Sequence, residues 1–506
     1  MNRWLSIIAI LVGALSILGQ LLGLDLPSFS WFFRMGTIFG WVSSILLIAA
    51  GIAGLLCLPR QIAWRPVTLQ RFRRFRSLKR GWWSLLALAF LAALALLDQA
   101  VVGKRALMVR YEGKTYFPAF VKTRYTLKQF GQEGDLEPSY RELKRRLSEN
   151  GKGFVLMPLI PWEPVLDSDT QQFLTLEQRD GRYYAPGEDK PFSGRGLTYY
   201  LDAPGAKHTD VRLRKGIPEG ETMGYAKGGG LATIAYYEGG KKVRERWTGE
   251  VPQAEFEQAK VTPMQVMLYP PIPPLWHAGH FLGTDSKGWD VLAHIYGGWQ
   301  VNLKAIILYL LMTYGVGVSV GTLMGLLGGI FDITVQRLIE IIDNLPYLYI
   351  VMIVVSIVTV AEMNLIILML VICVFSWTSL TYSLRALAYK EKERDYIAAA
   401  RLQGAGSWRI LTRYLLPNMI STVVTYVPFS VAGIISSLTA LSFLGFGLPE
   451  TYASWGWLFD DGVNHLGALW ISLSTFVIMV VILLLVTFVG EALREAFDPK
   501  KFTTYQ

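Results

Sequence analysis

The sequence predicts an all-α polytopic membrane protein with an extracytoplasmic α+β insert that contains β-hairpins. Hydrophobic residues make up 52% of the 506 residues and charged residues 17%, more apolar side chain than a soluble core of that length needs. A helix that crosses roughly 30 Å of hydrocarbon takes about 20 mostly apolar residues. Eight runs are long enough, at about 5–24, 35–58, 82–102, 303–326, 345–361, 365–384, 421–446 and 468–490.

The positive charge is placed as in a membrane protein. Residues 59–81 hold eight Arg and Lys and no acid, and residues 385–418 hold seven basic and three acidic residues. Both lie on one side if eight spans alternate, so the positive-inside rule predicts that both termini are cytoplasmic. The aromatic residues among the basic ones suit an interface with lipid, and we expect no nucleic-acid partner. The first run lacks a small-x-small cleavage site and is interpreted as an uncleaved anchor.

The predicted topology divides the chain into five regions. Short aromatic alternations between Gly-rich turns predict β-hairpins at about 166–262, within the long segment outside the cytoplasm. The regions are an N-terminal transmembrane hairpin (1–58), a basic cytoplasmic linker (59–81), a first core helix (82–102), an extracytoplasmic region (103–300) and a five-helix core (301–506).

Motifs for catalysis or for a cofactor are not found in the sequence. Gly113-Lys114-Thr115 ends like a phosphate-binding loop, but Met108 stands where the first glycine belongs. His277 and His280, with His294 nearby, have a metal-like spacing in a Pro/Gly loop, and we predict no metal site because zinc needs three or four fixed ligands. Asp98 lies near the outer end of its span, where we expect contact with headgroup water rather than a role in proton transfer.

The stretch DYIAAARLQGAGSWRILTRYLLPN, residues 395–418, lies between two apolar runs and is rich in Arg and Ala. Helix formers up to Gln403 and then Gly404 predict a helix that ends in a left-handed residue. Ser407 is expected to cap a second helix that Pro417 ends. Three consecutive alanines would let a partner's groove approach the first helix closely, and an amphipathic helix resting on the bilayer is the alternative.

This stretch resembles the EAA loop of ABC importer permeases, which inserts into a cleft of the ATPase subunit. Ala398 stands in place of the family's Glu, and Tyr414 in place of its Ile. The resemblance implies that residues 391–418 couple the chain to cytoplasmic ATPases. The matching positions are Asp395, Tyr396, Ala398, Ala399, Ala400, Arg401, Gly404, Leu416 and Pro417.

A second motif, FLGTDSKGWDVLAHIYGG at 281–298, is similar to a signature that precedes the second core span of dipeptide and oligopeptide permeases. Trp289 and His294 replace two arginines of that signature. Thr284 or Asp285 is expected to cap a helix that ends near Gly297 and forms an outer-mouth element, which contacts substrate or acts as a rigid scaffold. The matching positions singled out are Gly283, Thr284, Asp285, Gly288 and Asp290.

The stretches RFRRFRSLKRGWWSLLAL, LMVRYEGKTYFPAF and FLGFGLP narrow the resemblance to permeases of Yej-type oligopeptide importers. It covers roughly 70–165 and 270–501 and implies a type I ABC importer core in a bacterial inner membrane, with the long loop in the periplasm. The implied cargo is peptide, including microcin C. The implied partners are a sister permease forming a heterodimer, ABC ATPase subunits that bind ATP and Mg²⁺, and an extracytoplasmic peptide-binding protein.

Polar residues in two of the later spans are candidates for a wet path through the membrane. Equally, they are small residues that let helices pack closely. The candidates are Ser376, Ser379, Tyr382, Ser436 and Ser437. Two other classes stay open from the residues alone. One is a membrane-anchored sensor or scaffold whose outer domain binds a ligand, and the other is an ion-coupled transporter, against which the scarcity of intramembrane charges speaks.

Overall fold

The fold is taken from a computed structural model of the chain, which divides into two compact units. The helical unit comprises residues 1–167, 273–285 and 289–506, and the β unit comprises residues 168–272 and 286–288. The structure describes residues 2–22, 37–57, 66–121, 124–150, 153–168, 172–186, 189–203, 205–249, 251–275, 279–358 and 363–497.

Helices form most of the helical unit. The helices are α1 (Asn2–Leu22), α2 (Thr37–Cys57), α3 (Pro66–Ser77), α4 (Lys79–Leu96), α5 (Tyr140–Asn150), α6 (Gln253–Glu257, in the β unit), α7 (Val291–Leu327), α8 (Gly329–Asp343), α9 (Tyr347–Ile357), α10 (Leu365–Lys392), α11 (Asp395–Leu402), α12 (Ser407–Phe443), α13 (Trp455–Asn464) and α14 (Leu469–Phe497).

Five helices are long and apolar enough to cross a membrane within the part of the chain that the structure describes: α4, α7, α10, α12 and α14. Helices α1 and α2 contain shorter apolar helical stretches. The predicted span 345–361 is wrong as a single straight helix. Its described helix, α9, has 11 residues, about 16 Å at 1.5 Å per residue, and it is bent by 77° from α8. Together α8 and α9 would make one broken span.

The two N-terminal helices pack against each other through small residues. A Cβ atom on Gly13 would lie 2.6 Å from the Ile48 side chain, and one on Gly51 the same distance from Ile10. A buried hydrogen bond of 2.6 Å joins the hydroxyls of Ser16 and Ser44. Lipid offers no hydrophobic force between apolar helices, so close backbone approach and polar contacts hold such a pair.

The core of the helical unit lies where α7, α10, α12 and α14 meet. Trp299 of α7 stacks on Trp455 of α13 with ring centroids 6.3 Å apart, and both belong to one buried cluster with Leu368 and Ile435. Helix α4 lies close to α14, because a Cβ atom on Gly81 would overlap the side chain of Ala492. Glycine therefore sets the helix spacing at this crossing.

Short strands outside the predicted β-rich part form a small sheet in the helical unit. Strand β1 (Met108–Tyr111) pairs antiparallel with both β2 (Lys114–Tyr116) and β3 (Gly153–Leu156). Helix α5 packs on this sheet through a cluster that contains Phe130 and Leu143. Sequence patterning misses this sheet because its strands have three or four residues and because β1 and β3 pair across 42 to 48 positions.

The β unit is built on an antiparallel sheet of seven strands in the order β11-β10-β9-β8-β7-β12-β4, with a separate hairpin of β5 and β6. The predicted end of the insert at 262 is too early, because β12 joins the sheet between β7 and β4. The strands are β4 (Gln172–Thr175), β5 (Glu177–Arg179), β6 (Arg182–Tyr184), β7 (Gly194–Tyr199), β8 (Lys207–Arg214), β9 (Ile217–Tyr225), β10 (Leu231–Glu238), β11 (Lys241–Trp247) and β12 (Gln265–Leu268).

Two-residue turns explain why these strands form hairpins. Gly239 and Gly240, between β10 and β11, have φ of +55° and +83°, and Lys215 and Gly216, between β8 and β9, have +50° and +77°. Two consecutive positive φ angles are the type I′ geometry that matches the twist of antiparallel strands. The sequence prediction of β-hairpins here is confirmed.

Candidate functional site

Helix α11 follows α10 after a two-residue break and ends where the sequence predicts. Gly404 has φ of +78°, and a Cβ atom there would meet no atom within 4 Å. A left-handed residue after a helix end favours glycine because other residues clash with their own backbone. The chain then reverses into α12, so α11 lies between two membrane-spanning helices.

The inner face of α11 is anchored on those helices. Ile397 is 0% exposed and Ala400 is also buried. Ile397 belongs to a buried cluster with Leu384 of α10 and with Leu411 and Leu415 of α12. A movement of α11 would therefore be passed directly to the C-terminal part of α10 and the N-terminal part of α12.

The outer face of α11 is apolar and open. Ala398 and Ala399 are exposed, Leu402 is 90% exposed, and Trp408 at the start of α12 is 74% exposed. The expectation that the three alanines share one face is wrong, since successive helical residues point about 100° apart and Ala400 turns inward. Leu402 and Trp408 were not singled out from the sequence as exposed apolar residues. A Leu and a Trp on either side of a helix-ending glycine could have indicated an exposed apolar surface there.

Three other coupling candidates, Tyr396, Asp395 and Arg401, lie at different positions on α11. The Tyr396 hydroxyl donates to Oε2 of Glu391 at 2.7 Å, and burial together with this bond raises the pKa of Tyr396. Asp395 lies in the first turn of α11, where a negative charge suits the helix dipole. Arg401 is exposed at the last turn. Tyr396 thus fastens α11 to the end of α10, and Arg401 stands at the open rim.

Pro417 does not end the second helix, so that prediction is wrong. Helix α12 runs from Ser407 to Phe443, with a π-helical stretch at Ile410–Leu415 just before Leu416 and Pro417. Proline is tolerated in the first turn of an α-helical segment, where its missing N–H has no intrahelical partner. The π-helical stretch also shifts the helix phase, so that Trp408 does not share a face with Leu411 and Leu415.

The outer-mouth motif begins α7 differently from the prediction. Asp290 is the cap, since its Oδ1 accepts from the backbone N–H of Ala293 at 2.7 Å, and α7 continues through Gly297. A Cβ atom on Gly297 would lie 2.5 Å from Pro164, and one on Gly298 2.5 Å from Trp455. These glycines are sites of close approach and not helix ends.

A connected set of buried groups holds this motif. Asp290 Oδ2 lies 2.7 Å from Nδ1 of His280, whose ring stacks on Trp162 at 4.1 Å. Arg141 covers the other side of Trp162 at 3.8 Å and forms two hydrogen bonds to Asp167, at 2.8 and 2.9 Å. Burial alone would raise the pKa of Asp167, but the hydrogen bonds and charge of Arg141 hold it below its ordinary value.

The motif's other side chains also face the protein interior. Thr284 and Asp285 are buried; the Thr284 carbonyl accepts from Trp470 Nε1 at 3.1 Å, and Asp285 Oδ1 accepts from the Trp289 N–H at 2.8 Å. Gly283 and Gly288 have positive φ, +75° and +81°. These contacts favour the scaffold interpretation over direct contact with substrate.

The two described histidines of the metal-like pattern, His280 and His294, have separate hydrogen-bond partners. His294 Nε2 accepts from the N–H of Ser454 at 3.0 Å, while His280 contacts Asp290. Among the described residues, no three side chains of His, Cys, Asp or Glu are grouped as metal ligands. His277 and the side chain of Asp98 lie outside the described residues.

The pore candidates are spread over α10 and α12. Ser376 donates to the Ile372 carbonyl of its own helix at 2.8 Å, and the hydroxyl of Tyr382 accepts from Gln336 of α8 at 3.0 Å. Ser379 and Ser436 are exposed on this chain, and Ser437 is half-buried. Exposed hydroxyls on membrane-spanning helices face a partner or a wet path more readily than lipid.

A cavity of about 610 Å³ lies beside the N-terminal parts of α7 and α10. Polar groups on its wall include Glu163, Gln300, Lys304 and Asn364. Lys304 is a half-buried cation within a spanning helix, and sequence reasoning missed it. The signal was present, since a Lys is rare inside an apolar run and marks a functional position by default.

Five long apolar helices, two of them joined through the short helix α11, are the architecture of a polytopic membrane protein. The chain belongs to the family of binding-protein-dependent transport system inner membrane components, whose profile matches residues 317–503. It is therefore a multi-pass inner-membrane component of a transport system, and the family resemblance seen in the sequence is confirmed.

Two relatives match most of this chain, and a third matches less than half of it. The peptidoglycan transport system permease protein YejE of Agrobacterium fabrum is 27% identical over 445 residues, covering 88% of this chain and 96% of the relative. The inner membrane ABC transporter permease protein YejE of Escherichia coli is 29% identical over 86% of this chain and 98% of the relative. The oligopeptide transport system permease protein OppC of Escherichia coli is 33% identical over 45% of this chain and 74% of the relative.

These matches extend the resemblance inferred from motifs. A match over 445 of the 506 residues is too long to leave the whole of residues 168–272 outside it. Part of the β unit therefore belongs to the region that matches Yej-type permeases. The sequence motifs had limited the resemblance to roughly 70–165 and 270–501. Membership of a transport family favours transport over the sensor or scaffold alternative.

Proposed function

We propose that this chain is one half of a heterodimeric translocation pore in an ATP-driven oligopeptide importer, coupled to its ATPases through residues 391–418. One observation carries the proposal: α11 is fixed on its inner face by Ile397 and Ala400 and presents Ala398, Ala399 and Leu402 outward. Exposed apolar groups of that size on a cytoplasmic loop suit insertion into a partner's groove.

The cargo follows from the relatives. Two similar permeases, described as peptidoglycan and oligopeptide transport components, support peptides as the substrate class. The resemblance to Yej-type importers extends this class to peptide antibiotics such as microcin C. An extracytoplasmic peptide-binding protein delivers the peptide to the outer mouth, since the family depends on binding proteins.

The proposed placement in the membrane rests on charge. The basic residues of 59–81 and 385–418 lie in the cytoplasm, as do both termini, and residues 103–300 lie in the periplasm. Helix α3 supports this placement, because its arginines pack beside the C-terminal helix: the Arg71 guanidinium lies 5.1 Å from the ring centroid of Phe497.

The proposed mechanism uses the partner ATPases as the motor. ATP and Mg²⁺ bind in those subunits, and this chain holds no cofactor of its own. Closure of the ATPases moves α11, and the buried contact of Ile397 with the cluster at the ends of α10 and α12 turns that movement into a change of the spans between outward and inward access. The sister permease contributes the other half of the path.

Co-purification with the cognate ATPases tests the proposal. Leu402→Asp places a charge on the outer face of α11, and Gly404→Arg puts a bulky residue in a left-handed conformation. We expect both variants to lose the ATPases and the wild type to keep them. Leu466→Asp is the matched control, because Leu466 is also exposed (72%) but lies between α13 and α14. A wild-type chain that retains no ATPase from the complete co-expressed set would refute the proposal.

A further inference from the structure

A cavity of about 1180 Å³ opens on one face of the β unit, across strands β7 to β10. Charged groups of both signs line it. Strand β8 supplies Asp210, Arg212 and Arg214, while β9 supplies Glu221. These β8 residues alternate along the strand and therefore share a face of the sheet. The wall therefore offers donors for an anion and acceptors for a cation within one cavity.

One carboxylate of this wall is buried with an open acceptor. Asp210 is 5% exposed, and its Oδ1 accepts from Nε of Arg195 at 2.6 Å. Its Oδ2 is buried and accepts no hydrogen bond from the described residues. A buried carboxylate oxygen without a donor destabilises the fold, because it has lost its hydrogen bonds to water. A donor from a ligand in the cavity would remove that cost.

Two guanidinium groups of the same wall have no charged partner among the described residues. Arg212 and Arg214 are exposed, and neither forms an ion pair within the described part of the chain. Arg212 also lies directly opposite Arg195 in the register of β7 and β8. Like charges opposite each other destabilise a sheet, so this arrangement suits the binding of an anion. A carboxylate fits best, because it accepts two parallel N–H bonds from one guanidinium.

We propose that this cavity binds both ends of a short peptide, with its ammonium group at Asp210 and its terminal carboxylate at Arg214. Side chains two residues apart on a strand are about 7 Å apart, so Asp210 and Arg214 are about 14 Å apart. That is the length of about four residues in an extended chain. The proposal rests on the proposed function in taking peptide as cargo, and it adds a recognition site in the permease itself.

Binding of four tetra-alanine probes to the full chain in nanodiscs tests the proposal: the free peptide, its N-acetyl form, its C-terminal amide and the doubly blocked form. We expect Arg212→Gln/Arg214→Gln to weaken the free peptide at least about tenfold and to leave the amide unchanged. Asp210→Asn should weaken the free peptide and leave the acetylated form unchanged. Arg246→Gln, which removes an exposed arginine of β11 outside the cavity, should change neither.

Several outcomes would overturn the site. These are no binding of the free peptide to the wild type, equal binding of free and doubly blocked peptides, or an equal loss in Arg246→Gln. If Asp210→Asn does not fold, the binding measurements on Arg212→Gln/Arg214→Gln still test the site, because both arginines are exposed. Uptake of the same peptide by the complete importer separates this inference from the proposed function. If the arginine variants bind the peptide as the wild type does and uptake persists, the site is refuted and the importer role is not. If the wild type binds the peptide but the complete importer takes up none, the importer role is refuted.

Discussion

Replacing Ile397 by alanine should release α11 from the membrane helices without touching its outer face. The side chain is 0% exposed and loses three carbon atoms, worth about 0.8 kcal/mol each, or about 2.4 kcal/mol in transfer free energy. The cavity left in the cluster of Leu384, Leu411 and Leu415 raises the total to about 3–4 kcal/mol. That is roughly a hundredfold or more in the equilibrium between docked and released α11.

Hydrogen exchange of the α11 amides in the purified full chain measures this change directly. We expect faster exchange in Ile397→Ala, together with ATP hydrolysis that no longer drives peptide uptake in the reconstituted importer. Leu402→Ala is the matched control on the same helix: its side chain is 90% exposed, so stability should change by less than about 0.5 kcal/mol while association with the ATPases weakens. Exchange within a factor of three of the wild type in Ile397→Ala would refute the reasoning.

Three further perturbations test the helix packing and the β unit. Gly298→Ala places a Cβ atom 2.5 Å from Trp455 and should destabilise the helical unit by about 1–3 kcal/mol, measured by thermal unfolding in detergent; an unchanged midpoint would contradict the close approach. Ser16→Ala removes the 2.6 Å hydrogen bond to Ser44 and should weaken the packing of α1 on α2 by about 1 kcal/mol. The measurement is the rate of protease cleavage between α1 and α2, which should increase. Replacing an exposed serine by alanine is the control and should leave this rate unchanged. Burial lowers the pKa of His208 despite its bond to the Phe256 carbonyl, so the folded form binds fewer protons than the unfolded one, whose pKa is about 6.5. This contribution to stability is complete above about pH 6.5 and is lost as pH falls below it. The protection factors of the β-unit amides, which are corrected for the intrinsic pH dependence of exchange, should therefore fall towards acid pH, and a flat profile in that window would contradict the prediction.

Local chemistry in the sequence predicted the elements that depend on near neighbours. Gly404 ends α11 because a left-handed residue there needs no distant contact, and the paired glycines at 239 and 240 make a hairpin turn by themselves. The apolar runs of α7, α10, α12 and α14 are long enough to be recognised from composition. These features are decided within one or two turns of chain.

Features that depend on distant residues could not be read in the same way. Gly297 looked like a helix end because the sequence does not show that Pro164, more than 100 positions away, lies against it. Pro417 looked like a helix stop because the π-helical stretch before it has no sequence signature. Ala400 was grouped with its two neighbours, although the side of α11 that packs inward depends on where α10 and α12 lie. In each case tertiary contact overrode the local rule.

The site candidates divide along the same line. Asp290 was named as part of a motif, but its role as cap and as partner of His280 emerges only from the fold. Lys304 and the cavity of the β unit depend on neighbours from several elements. The Arg212 and Arg214 pair, for example, alternates along a strand in the usual way for an exposed face, and only the buried oxygen of Asp210 distinguishes that face.

Cross-linking from position 402 tests the central claim most directly. A photoreactive phenylalanine analogue replaces Leu402 in the full chain, and the same analogue replaces Leu466 as the control for an exposed leucine outside α11. With the complete importer present, a cross-link from position 402 to the ATPase subunit, and none from position 466, is the expected result. A cross-link to lipid alone from position 402, in a preparation that hydrolyses ATP, would contradict coupling through α11.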